Sequence, residues 1–171
     1  IDPDAGRLQL ETRLKDYSIG EIRAFKENAL PVRGSLNASG MLDGMLEAPV
    51  FRGTFELRKL GYDTWELGNG NGNVEFEGKS LRGKARIHTD FGDISVKAEV
   101  SVDAGYPGSI SLNFNNLNLQ EIVSRKAPPY LNVISTELEG KIEGEGNFGD
   151  WSGMELRGEV VGARFKIHDF E

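Results

Sequence analysis

Gly40-Met41-Leu42-Asp43-Gly44-Met45-Leu46-Glu47-Ala48-Pro49-Val50-Phe51-Arg52-Gly53-Thr54-Phe55 is the stretch that decides the fold. Leu42 and Leu46 alternate with Met41, Asp43 and Met45, the period of two that marks a strand with unlike faces. Pro49 breaks this first strand, and Phe51, Gly53 and Phe55 begin another. Gly40 and Gly44 share the parity of Leu42, so backbone without side chains lies among the apolar positions. Glycine weakens a strand but permits sharp bending or close approach.

The same pattern returns one hundred positions later. Gly40, Leu42 and Gly44 are echoed by Gly140, Ile142 and Gly144, and residues 17–22 are echoed by 117–122. Such self-similarity is the mark of like units added end to end. We expect one domain over 1–171, holding one unit of about 100 residues (about 17–116) and part of a second (about 117–171), as a piece of a longer repeat protein.

Outward from the quoted stretch, alternation recurs in most segments. Leu8 and Leu10 lead; Val74 and Phe76 precede a turn expected near Gly78 and Lys79; Leu81, Ile87 and Phe91 follow. Ile94, Val96, Ala98, Val100 and Val102 form the clearest series, and Leu112 with Phe114 continues it. Leu138 with Ile142, then Leu156 with Val160, repeat the earlier strands. About eleven strands are expected. Two short helices are expected at the echoed Ser18/Glu21 and Asn118/Glu121 spacings, with Ser18 and Glu21 forming a capping box.

Helices of about two turns cannot cover the apolar face of so many strands. The expected fold is therefore all-β: a curved antiparallel sheet folded into a U-shaped groove with an apolar interior and two short helices. The lining expected for that groove is Leu36, Leu42, Phe55, Leu57, Phe76, Leu81, Ile87, Ile94, Val96, Val100, Leu112, Phe114, Leu138, Ile142, Leu156 and Val160.

Composition narrows the function. Glycine supplies 22 of 171 residues, nearly double the usual share of about 7%. A net charge of −7 argues against nucleic acid, which is bound by clustered Lys and Arg. Without cysteine there is neither a disulfide framework nor a thiolate metal site. No apolar run approaches the roughly 18 residues of a membrane helix, so any anchor lies outside the chain.

Reactive chemistry is sparse. His88 sits on the polar side of its strand, far in sequence from His168, and Glu139, Lys141, Glu143 and Glu145 read as a solvated face. The Gly68-Asn69-Gly70-Asn71-Gly72-Asn73 run has no Lys-Ser or Lys-Thr after it, which excludes a phosphate loop and leaves a flexible hairpin connection. No nucleophile, base and orienter set exists, so neither enzymatic activity nor a cofactor or metal is expected. A rival reading is a carbohydrate-binding or adhesin module using Trp65, Trp151 and the Asn-rich turn; another is a structural spacer without cargo.

The Gly-rich strand, Pro and second Gly-rich strand of 40–55 resemble the repeats of the TamB and AsmA-like envelope proteins, as does the stretch from Asn118 through Gly158 with its Gly-x-Ile-x-Gly strand. The second copy departs by lacking the Pro and by extra residues around Gly149 to Gly153. The resemblance implies a periplasmic taco-like sheet in a protein anchored in the inner membrane. It also implies phospholipid acyl chains, outer-membrane protein clients and a TamA-type outer-membrane β-barrel as partners, in lipid transport or barrel assembly.

Overall fold

A computed structural model of the protein describes residues 6–27, 29–45, 47–118, 134–150 and 153–167. Nine strands form one antiparallel sheet in which every strand lies beside its neighbours in sequence. They are β1 (Arg7–Ser18), β2 (Val32–Met45), β3 (Ala48–Tyr62), β4 (Trp65–Glu77), β5 (Ser80–Thr89), β6 (Gly92–Ser101), β7 (Pro107–Asn118), β8 (Ile134–Asn147) and β9 (Glu155–Ile167). The described residues thus hold nine strands rather than about eleven, because the strands are long, from 10 residues in β5 to 15 in β3.

The expected turn at Gly78 is present, with Gly78 at φ +60° between β4 and β5. The expected hairpin loop at 68–73 is not. That run lies inside β4, and of its glycines only Gly68 takes positive φ. Alternation explains the difference. Gly70 and Gly72 pair with Leu57 and Phe55 and share their face, while Asn69, Asn71 and Asn73 project to the other. The local chemistry of a turn is overridden by what lies across the strand.

Between β1 and β2 the chain makes a 3-10 turn, Ile19–Glu21, and a five-residue helix α1, Arg23–Glu27. The capping box does not form. Ser18 makes no side-chain capping bond, and the Glu21 carboxylate instead receives Lys26 Nζ at 2.7 Å. The second expected helix lies outside the described residues, apart from its first residue, Asn118, which ends β7.

Bulges recur at one end of the sheet. Leu14 and Tyr17 of β1 face Ala38 and Leu36, so three steps on one strand match two on the other. Leu57/Leu60 on β3 and Phe114/Leu117 on β7 repeat the device. Each carries a non-glycine residue at positive φ: Asp16 at 49°, Lys59 at 51° and Asn116 at 53°. The extra residue restores parity, so apolar side chains stay on one face through the bulge while the strand twists more strongly. The Oδ1 atoms of Asn37 and Asn69 accept hydrogen bonds from the backbone N–H of Asp16 and Lys59, at 2.9 and 3.0 Å. The β7–β8 pair therefore reproduces β1–β2 in structure as well as sequence.

The described residues enclose no conventional core. Among the described hydrophobic residues only Ile19, Leu60 and Phe91 are buried, all at the bulged end. No helix among the described residues is long and apolar enough to cross a membrane.

Candidate functional site: an apolar sheet face

The register assembles the apolar side chains into rows that run across the strands. Leu10, Leu42, Phe51, Phe76, Leu81 and Val100 lie directly across from one another on β1 to β6. A second row carries Leu14, Ala38, Phe55, Gly72, Ala85, Val96, Leu112 and Ile142 over β1 to β8. A third runs through Tyr17, Leu36, Leu57, Gly70, Ile87, Ile94, Phe114, Gly140 and Val160 to β9. Leu156 lies across from Gly144, and Leu138 across from Leu117.

All sixteen expected lining residues thus share one face. None is buried. Twelve are partly covered by their neighbours, while Leu81, Ile142, Leu156 and Val160 are 38%, 41%, 66% and 59% exposed. Leu14, Tyr17 and Leu117 belong to the same face but were not expected there. Their signal was an apolar pair three residues apart, as in Leu14/Tyr17 and Phe114/Leu117, which marks a bulge only once the partner strand is known.

Four glycines of this face, which the sequence reads as bare backbone, lie against aromatic rings, whereas Gly83 and Gly158 have room on it. The Phe51 ring lies over both Gly40 and Gly53, where a Cβ would come within 2.5 and 3.0 Å of its Cζ. Phe55 covers Gly72 and Phe114 covers Gly140 so closely that a Cβ would collide with the ring. Rings over strand glycines shield the backbone and help to fix the register. At these four positions the face is aromatic rather than open backbone.

The opposite face is polar throughout the central strands. Cross-strand ion pairs tie it together, with Arg52 to Glu75 at 2.7 Å and Arg82 to Glu99 at 3.0 Å. His88 Nδ1 lies 2.7 Å from Asp93 Oδ1, and Lys141 pairs with Glu143. Hydrogen bonds from Arg82 and Ser80 hold the Glu99 carboxyl below the usual carboxylate range. No group of His, Asp or Glu able to hold a metal ion occurs among the described residues. The Asn-rich run lines an open cleft of about 820 Å³ on this side, together with Arg13, Asn37, Thr54 and Arg58. Trp65 opens β4, remote from the middle of that run, and Trp151 and His168 lie outside the described residues.

No protein-family model, curated protein or solved structure matches this chain.

Proposed function

We propose that the chain is a section of a periplasmic bridge protein whose apolar sheet face shields phospholipid acyl chains on their way to the outer membrane. The observation that carries this reading is the coexistence of a continuous apolar face over nine strands with only three buried hydrophobic residues among those described. A sheet with one apolar face requires a cover. Curved lengthwise into a U, the sheet turns this face inward, and acyl chains supply the cover. Each methylene withdrawn from water contributes roughly 0.8 kcal/mol, so an acyl chain laid along the apolar rows gains enough to stay bound. The resemblance of 40–55 and 118–158 to TamB and AsmA-like repeats supplies the setting: an inner-membrane anchor outside this chain and a TamA-type barrel at the far end.

A second reading, assembly of outer-membrane barrel proteins, is favoured by the sheet edges. The outer sides of β1 and β9 have no partner strand among the described residues, and Leu10, Leu14, Val160 and Val161 are exposed there. Such an edge can take up an added strand from a client.

Native mass spectrometry of the purified chain tests the lipid reading. Phospholipid is expected on the wild-type protein and absent from Leu42→Asp and Ile142→Asp. Ile142 is 41% exposed, so a carboxylate there is expected to cost less stability than at the partly covered Leu42. Lipid-free wild-type protein, or equal lipid on all three, contradicts the reading.

A further inference from the structure

We propose that the middle of the polar face, on β4 to β6, is a binding site for a phosphate-bearing ligand. The site is a rectangle set by the strand register. Asn73, Lys84 and Lys97 lie directly across from one another in one row, and Asn71, Arg86 and Ser95 in the next. Side chains directly across are about 5 Å apart at Cβ, and those two residues along a strand about 6.7 Å. Three exposed cations therefore stand at neighbouring positions of one patch the size of one or two phosphate groups.

What distinguishes this patch is the bookkeeping of charge around it. Most carboxylates around it have another partner: Glu75 with Arg52, Glu99 with Arg82, Glu56 with Arg58 and Glu143 with Lys141, while Asp93 lies against the His88 ring and Glu145 lines the same cleft as Lys84 and Lys97. Lys84, Arg86 and Lys97 have no ion-pair or hydrogen-bond partner among the described residues. Lys84 and Lys97 stand face to face, an arrangement that destabilises an antiparallel pair. A chain of net charge −7 had acids to place there.

The unengaged amides extend the site. The side-chain amides of Asn71 and Asn73 make no hydrogen bond among the described residues and form one wall of the 820 Å³ cleft that continues toward β1. Cations flanked by amide and hydroxyl groups suit a phosphate carried on a hydroxyl-bearing molecule, either a lipid headgroup or a soluble phosphate ester. The site is on the face opposite the apolar rows and stands independently of the lipid reading.

Titration of the wild-type chain with inorganic pyrophosphate, followed by calorimetry and by the amide resonances of residues 71–73, 84–86 and 95–97, tests the proposal. Saturable binding centred on those residues is expected. Lys84→Gln with Lys97→Gln is expected to weaken it at least about tenfold, the loss of charge-assisted contacts. Lys26→Gln with Lys79→Gln removes the same charge from lysines already paired with Glu21 and Asp103, and is expected to leave binding within about twofold. Vesicles of phosphatidic acid in phosphatidylcholine separate the sources: binding released by pyrophosphate identifies a headgroup, and pyrophosphate binding without vesicle binding identifies a soluble ester. No saturable pyrophosphate binding, or equal weakening by both double variants, overturns the proposal.

Discussion

At the scale of single residues, the glycines decide how the apolar face is built. Gly72 lies beneath the Phe55 ring and against the Lys84 carbonyl, so Gly72→Ala forces the ring aside and is expected to cost about 1–3 kcal/mol in chemical denaturation. Gly83 is the control. The nearest atom to a Cβ there is the Asn73 carbonyl oxygen at 3.9 Å, and Gly83→Ala is expected to stabilise by about 0.5–1 kcal/mol. Equal effects at the two positions would remove the ring-over-glycine account. Electrostatics at this scale is local. Hydrogen bonds from Lys79 and then Ser101 hold the Asp103 carboxyl below its ordinary value, and Asp103 in turn raises the Lys79 ammonium. The carboxyl's contribution is present above the ordinary Asp range and is lost as pH falls through the lowered folded value. The ammonium's contribution is present below the ordinary Lys value and is lost as pH rises through the raised one. Carboxyl chemical shifts should show Asp103 titrating higher in Lys79→Met than in wild type; an unchanged midpoint refutes the pairing.

At the scale of elements, strands were legible and their joints were not. Ile94, Val96, Ala98 and Val100 announced β6 because alternation is a local property. The bulges were hidden, since Leu57-Arg58-Lys59-Leu60 reads as a strand that loses its period unless β4 is known to supply Gly70 and Gly68 opposite. The 68–73 run failed in the other direction. Its glycines and asparagines are turn formers taken singly, yet the alternation is a strand whose small side fits under Phe55 and Ile87. The candidate face followed from the alternation, whereas its rows, covered glycines and edge residues Leu14 and Tyr17 required pairing register. Lys59 gives the bulges a direct test. It holds φ at 51°, which is costly for a side chain with a Cβ, so Lys59→Gly is expected to stabilise by about 0.5–1 kcal/mol and Lys59→Val to destabilise. Thermal melts that rank the three otherwise would show that the left-handed turn is absent in solution.

At the scale of the whole molecule, one sheet of nine strands separates two environments across a single layer of backbone. One side offers aliphatic and aromatic rows that no described part of the chain buries; the other offers ion pairs and amides. Val96 and Lys97 are neighbours in sequence and lie on opposite sides, Val96 across from Ala85 and Leu112, Lys97 across from Lys84 and Ser111. A photo-crosslinking amino acid placed at each in turn, in the full-length protein within cells, reads the two sides separately. Phospholipid adducts formed through the acyl chains at position 96, and none formed through acyl chains at position 97, are the predicted result. Acyl-chain adducts at neither position, or equally at both, would contradict the claim that the apolar face carries acyl chains.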